Sequence, residues 1–290
     1  MRLTTKIIIG VVLSIFMLSL FHIIFFSFTK RRYYERKNLE VSMMISQVEK
    51  DSLATDAYRV IVIEAESIDE KNVYYAILNN DQCGLLINPA KNADEKNKLI
   101  FPKELSRFIS TTTNLDTLTV KIKTNEMIKN YLETHDIVTK TDNVRYILNY
   151  VYFSGFNLFL NTSNVNVINK VADLQTKIDS LETDTIKVLS DGKIDITLCK
   201  ADYIEPALIR RHQPITLTKC TIKKLYCDLD QIGRWNTVTC DIEETYFTGT
   251  NNMSASYDNK ERGTIKWRPK TKDAEITLKF KGDISVKVQE

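Results

Sequence analysis

Three stretches in the last third of the chain decide its fold: CKADYIEPA (residues 199–207), CTIKKLYCDL (220–229) and CDIEETYFTG (240–249). Their first residues lie 21 and then 20 positions apart. Counted from each cysteine, position +2 holds Ala201, Ile222 and Ile242, and position +5 holds Ile204, Leu225 and Thr245. Position +7 holds Cys227 and Phe247 in the second and third stretches. A period near twenty with two short strand runs per unit is the pattern of a β-solenoid coil, whose unpaired edge is covered by the next coil. The charges support the same alignment. Position +3 reads Asp202, Lys223, Glu243, and position +4 reads Tyr203, Lys224, Glu244. On rungs about 4.8 Å apart these signs alternate. Each opposite pair contributes roughly 0.2–1 kcal/mol, enough to help set register but not to hold the fold. The expectation is an all-β chain built as a parallel β-solenoid, with a β-sandwich as the alternative.

Upstream, the strand texture continues. RVIVIEA (59–65), YYAIL (74–78), CGLLI (83–87), DTLTVKI (116–122), RYILNYVYF (145–153) and FNLFL (156–160) are short, rich in β-branched and aromatic residues, and separated by Asn, Asp and Gly. EMIKNYLETH (126–135) is the one helical pattern after residue 56. Strand runs without regular intervening helices argue against a parallel α/β fold.

The N-terminus carries an address. Residues 7–28, IIIGVVLSIFMLSLFHIIFFSF, contain no Asp, Glu, Lys or Arg. As a helix they would extend roughly 33 Å, enough to cross a bilayer core. The flank TKRRYYERK has the basic and aromatic character of an interfacial anchor. The apolar run is too long for a cleaved signal peptide and lacks a small-residue cleavage site, so it reads as a single transmembrane helix. Residues 30–55 read as a juxtamembrane stalk, with a helix-like spacing at Leu39, Met43, Met44 and Val48. The resulting division is a short cytoplasmic tail and anchor over 1–29, the stalk over 30–55, an N-terminal β part over 56–150, and solenoid coils over 151–290. The basic cluster after the span favours a cytoplasmic domain by the positive-inside rule.

Net charge is +3 over the chain, but residues 1–37 alone carry +6, leaving 33 basic against 36 acidic residues in 38–290. The bulk of the chain is therefore not basic, and nucleic acid is not an expected partner. Eight Gly and five Pro exclude collagen-like and low-complexity classes.

These strings and the N-terminal export segment resemble the Bacteroidetes family described as auto-transporter adhesin head, GIN domain. SNVNVINKVADLQTKIDSLETDTIKVL and TLTKCTIKKLYCDLDQ contribute to the resemblance, which spans roughly residues 56–285. It implies right-handed parallel β-solenoids outside the cytoplasm, an adhesin-like role and no catalytic motif. It outweighs the charge rule, and the soluble part is expected on the periplasmic side.

The candidate chemistry is sparse. The three His and five Cys show no metal-ligand spacing, and no cofactor motif is present. Cys199 beside Lys200 is a thiol with an adjacent base, and Asp202, Glu205, Arg210, Arg211 and His212 come closest to an acid–base cluster. Tyr226 and Tyr246, at position +6, are expected to face outward, and Trp235 and Trp267 to lie on turns. These four aromatics are the candidate partner-binding residues. The expected function is a non-catalytic, membrane-anchored envelope module binding a polysaccharide or a protein. A carbohydrate lyase or hydrolase, or a transmembrane signalling partner, is the alternative.

Overall fold

The structure is a computed structural model describing residues 13–24, 39–44, 49–67, 84–90, 96–134, 146–152, 155–172, 174–210, 213–249, 255–260, 262–270 and 276–289. Its strands are β1 (Leu39–Met44), β2 (Lys50–Ala54), β3 (Val60–Ala65), β4 (Gly84–Pro89), β5 (Lys98–Pro102), β6 (Ile109–Asn114), β7 (Thr117–Ile122), β8 (Tyr146–Tyr152), β9 (Phe156–Leu160), β10 (Asn164–Asn169), β11 (Gln175–Asp179), β12 (Glu182–Ser190), β13 (Ile194–Thr197), β14 (Lys200–Leu208), β15 (Pro214–Thr218), β16 (Thr221–Asp228), β17 (Arg234–Thr248), β18 (Ala255–Asn259), β19 (Gly263–Arg268), β20 (Leu278–Lys281) and β21 (Ile284–Val288). Two helices are described, α1 over 13–24 and α2 (Thr124–Thr134).

From β10 onward the chain alternates between two parallel sheets. One runs β3-β10-β12-β14-β16-β17-β19-β21, the other β4-β11-β13-β15-β17-β18-β20. The long β17 belongs to both, bending from one sheet into the other. This all-parallel stacking is a β-solenoid. A sandwich would require antiparallel sheets. The register matches the cysteine-anchored alignment: Ala201↔Ile222↔Ile242, Tyr203↔Lys224↔Glu244, Ile204↔Leu225↔Thr245 and Cys227↔Phe247.

The inward side chains stack into columns. One reads Val165, Ile186, Ile204, Leu225, Thr245, Ile265. Another reads Leu158, Ile87, Ile178, Ile196, Leu217, Thr237, Tyr257. All are buried, and removing a buried aliphatic side chain of this kind costs about 2–5 kcal/mol. The hydroxyl of Thr245 shares a 2.6 Å hydrogen bond with that of Tyr257, which satisfies both polar atoms inside the core.

One corner repeats in every regular coil. Ser180, Leu198, Lys219 and Thr239 have φ of 56, 54, 52 and 56°. Each is followed by a buried residue: Leu181, Cys199, Cys220 or Cys240. The corner amides bond to the next coil: Leu198 N–H to Thr218 O and Lys219 N–H to Val238 O, both at 2.9 Å. A second bend follows at +3/+4, where two consecutive residues, Lys223 and Lys224, are exposed.

The N-terminal end is closed differently. There β7 pairs with β3, and β9 with β4, in parallel. Beyond them β6 lies antiparallel to β7, and β5 antiparallel to both β9 and β2. A 3-10 turn, Lys103–Phe108, buries Leu105 and Phe108, and α2 buries Met127. The helical pattern at 126–135 is thus realised as α2, with His135 outside the described residues. YYAIL also lies outside them.

The helix-like reading of the stalk is corrected. Residues 39–44 form β1, parallel to β8, and 50–54 form β2 within the solenoid's sheet. Leu39, Met43, Met44 and Val48 are interleaved with Val41 and Ile45, which makes a weak helical period, and strand pairing overrides it. Of the apolar run at 7–28, the structure describes α1, all of it exposed. Among the described residues no helix is long and apolar enough to cross a membrane.

A left-handed residue bearing a Cβ costs about 1–2 kcal/mol relative to the right-handed helical basin. Lys219 is exposed, so nothing of its side chain needs replacing. Lys219→Gly is expected to raise stability by about 0.5–1 kcal/mol after the extra unfolded-state entropy of glycine. The β-branched Leu198→Val should lower it. Urea-denaturation midpoints of the two variants check both signs.

Candidate functional site

The lateral face carrying β12, β14, β16, β17 and β19 holds the aromatic candidates. In register, Tyr226 sits beside Tyr246, and Tyr246 beside Lys266. The rings of Tyr226 and Tyr246 stack at 4.4 Å and 2°. Tyr203 stacks on Tyr226 from the other side at 4.9 Å and 28°. Lys187 lies 5.2 Å over Tyr203, and Lys266 lies 4.7 Å over Tyr246. Every ring face in the ladder is therefore covered by another ring or by an ammonium group.

The polar atoms of the ladder are also engaged. Tyr203 donates to Glu205 at 2.8 Å, and Lys187 pairs with the same carboxylate at 2.9 Å. Tyr246 donates to Glu244, which also accepts from Lys266 at 2.7 Å. Burial first, and then the bond to Glu205, holds the Tyr203 phenol well above its ordinary pKa. Lys266 and Tyr246 hold the Glu244 carboxyl below the usual carboxylate range.

Trp235 and Trp267 are not on turns. Trp235 lies in β17 in a column with Ile215 and Ile194, and its ring meets Phe247 edge-on at 5.7 Å. Trp267 lies in β19 beside Phe247 and donates its indole N–H to Gly249 O at 2.8 Å. Both are buried. Gly233 makes the turn, and Trp235, two residues on, already faces inward.

The acid–base cluster does not converge. Asp202 pairs with Lys223 at 2.7 Å, and Glu205 pairs with Lys187. Arg210 makes a two-pronged contact with Asp191 at 2.7 and 2.8 Å. Arg211 and His212 lie outside the described residues. Cys199 is buried, and Lys200 beside it points to Glu182 at 2.6 Å, so the thiol has no activating base there. Cys199, Cys220 and Cys240 instead stack along the corner, where Cys220 Sγ contacts the carbonyls of Ile196 and Thr218, both at 3.4 Å. The hydrogen bond with Cys199 pushes the Cys220 thiol up to about 12, and burial raises Cys227. Among the described residues no cluster of His, Cys, Asp and Glu could hold a metal ion.

A groove of about 590 Å³ opens next to this corner. Asn161, Thr162, Glu182, Asp184, Asp202 and Lys223 contribute to its lining. It crosses several rungs, with Thr183 donating to Thr162 O at 3.0 Å and Asp184 N–H to Ser163 O at 2.9 Å. Asp184 and Asp202 fall on neighbouring rungs, since Thr183 pairs with Ala201. Position +3 was read for register, and its additional role as a groove wall has no signal in the sequence. The third ring, Tyr203, was likewise missed, because it belongs to position +4 and reaches Tyr226 diagonally.

No protein-family model matches the chain, and no curated protein matches it. Solved structures with some likeness include a "putative adhesin" from Bacteroides fragilis, at 9% identity and TM-score 0.37, covering 85% of this chain and 100% of that one. A "putative lipid binding protein" from Parabacteroides distasonis shows 12% identity, TM-score 0.30 and coverage of 86% and 100%. A "putative adhesin" from Parabacteroides merdae shows 11%, 0.30, and 86% and 99%. Likenesses at this level assign this chain neither ligand nor activity.

With Cys83 replaced by Ser, the native protein is expected to leave Cys199, Cys220, Cys227 and Cys240 unlabelled by a thiol reagent at pH 8, and to label all four in denaturant. Intact-mass measurement before and after denaturation reads the outcome.

Proposed function

We propose that the chain is a non-catalytic binding module of the cell envelope: a β-solenoid held by the apolar segment 7–28 on the extracytoplasmic side, taking a polysaccharide in the groove beside its cysteine corner. The observation that carries this reading is the groove itself. It runs across successive rungs and offers the amide, hydroxyl and carboxylate groups of Asn161, Thr162 and Asp184. Such a set of donors and acceptors suits a hydroxyl-rich chain ligand. The tyrosine ladder plays a different part. With its ring faces covered, it stiffens the wall rather than stacking on sugars.

The separation of Asp202, Glu205 and Arg210 into three independent ion pairs supports binding over lyase or hydrolase chemistry, which needs an acid and a base on one reacting centre. The anchor reading rests on the apolar run and its basic, aromatic flank.

Full-length protein in detergent micelles, applied to an array of bacterial envelope glycans, is expected to retain at least one polysaccharide. Asp184→Ala and Asn161→Ala should each weaken retention about three- to tenfold, as loss of one hydrogen bond would, with melting temperatures unchanged. Retention of no glycan, or equal retention by both variants, would sink the reading. For topology, alkaline phosphatase fused after residue 290 should be active, and a cytosol-only fluorescent protein at the same place should be dark.

A further inference from the structure

The corner of the solenoid makes the same backbone bond coil after coil, and the groove lies where that bond stops. Glu182, Lys200, Thr221 and Asp241 share one column, each following the corner. Lys200 N–H donates to Leu181 O, Thr221 N–H to Cys199 O and Asp241 N–H to Cys220 O, at 2.8, 2.9 and 2.7 Å. Because Leu181 bonds to β14, the alternation of a parallel ladder turns the N–H of Glu182 towards the rung below. Counting three residues on from the pair Ile178↔Ile87 puts Ala90 on that rung. Ala90 N–H donates to Leu160 O at 3.0 Å, and the next strand, β5, runs antiparallel to β9 and β2 instead of continuing the coil. Backbone bonds from β12 to the rung below begin at Asp184, whose N–H reaches Ser163 O at 2.9 Å. Among the described residues the N–H of Glu182 has no backbone acceptor.

Two other kinds of group line the groove with this N–H. Ala90, Leu160 and Leu181 give it an apolar wall. Asp184 gives it a carboxylate. Glu182 pairs with Lys200 at 2.6 Å and Asp202 with Lys223 at 2.7 Å, whereas Asp184 has no ion pair among the described residues. The volume of about 590 Å³ lies within the usual range for small-ligand sites.

A ligand matched to this set carries an acceptor for the Glu182 N–H, a donor for the Asp184 carboxylate and a small apolar group for the wall. A secondary acetamide has all three in its carbonyl, its N–H and its methyl. A sugar bearing only hydroxyls lacks the methyl. A free amino sugar replaces carbonyl and methyl by an ammonium group. A uronic acid sets its own carboxylate against Asp184, and like charges repel.

We infer that the groove selects N-acetylated amino sugars. The acetamido carbonyl accepts from Glu182 N–H, the acetamido N–H donates to Asp184, and the methyl rests against Ala90 and Leu181. The acetamide thus takes the part in the ladder that a corner peptide plays in the regular coils. This inference rests on the reading of the groove as a polysaccharide site and adds the class of sugar to it.

The test titrates full-length protein in detergent micelles, by calorimetry, with three tetrasaccharides of the same linkage, built from N-acetylglucosamine, glucosamine and glucose. The N-acetylglucosamine tetramer is expected to bind about tenfold or more tighter than either of the others. Asp184→Ala should weaken it about three- to tenfold, with the melting temperature unchanged because Asp184 is exposed. Ala90→Glu sets a carboxylate where the methyl would rest and should remove the preference for the acetylated tetramer. If thermal melting shows that Ala90→Glu has unfolded, Asp184→Ala still decides. Equal binding of the three tetramers, tighter binding of the glucosamine or glucose one, or unchanged affinity in Asp184→Ala would overturn the inference. Binding of none of the three, with another glycan retained on the array, would overturn it too and spare the polysaccharide reading. Retention of no glycan by either method would sink both. Saturable binding of N-acetylated tetra-alanine, with no sugar bound, would assign the groove to a peptide and likewise overturn the inference.

Discussion

The stack depends on one backbone turn. At Ser180, Leu198, Lys219 and Thr239 the chain passes through the left-handed region for a single residue. That one residue carries it from one sheet to the other and aims the next side chain into the core. None of the four is glycine, so each corner retains a conformational cost. The hydrogen bonds that oppose this cost come from the following coil. Leu198 N–H bonds to Thr218 O, Thr221 N–H to Cys199 O, and Asp241 N–H to Cys220 O, at 2.9, 2.9 and 2.7 Å. A corner is therefore stable only when its neighbour is formed, which couples each coil to the next, as expected for solenoids.

This coupling explains which parts of the fold were legible. The inward positions +2, +5 and +7 repeat chemically, so aligning the three cysteine stretches recovers the pairing Ala201↔Ile222↔Ile242 and its companions. The corner leaves no such trace, because Ser, Leu, Lys and Thr share no side-chain property. Backbone conformation, not composition, repeats there. The scarcity of glycine, which looks unfavourable for tight corners, is accommodated by bonds between coils. The N-terminal half was legible only as strands. That β3 lies between β7 and β10 is a pairing across more than a hundred residues in the chain, and no local pattern encodes it.

At the candidate site, sequence reasoning found neighbours better than it found environments. Tyr226 and Tyr246 follow from shared register, but whether their faces are open depends on Tyr203, Lys187 and Lys266, which arrive from other positions and other rungs. Trp235 and Trp267 were misplaced for a local reason: turn-like residues close by, Gly233 before the one and Pro269 after the other. In a solenoid the turn ends within a residue or two, and the next side chain is already in a core column. Large aromatics here fill the interior near Phe247 rather than marking an outer surface.

The alternation of charge up the columns has one further consequence. Where opposite charges face each other on neighbouring rungs, as at Lys187 and Glu205 beside the tyrosine ladder, the wall is electrostatically complete and has little left to offer a ligand. Like charges on neighbouring rungs are destabilising. In the columns followed here they occur at Asp184 beside Asp202, and at Lys266 beside Lys287. The first pair lines the groove, where Lys223 offsets the field of both acids. The second stands on the last described rung. A binding surface on a repetitive scaffold should appear where the repeat fails to satisfy itself. The first of these breaks in alternation is such a place, and it coincides with an independent geometric feature, the groove.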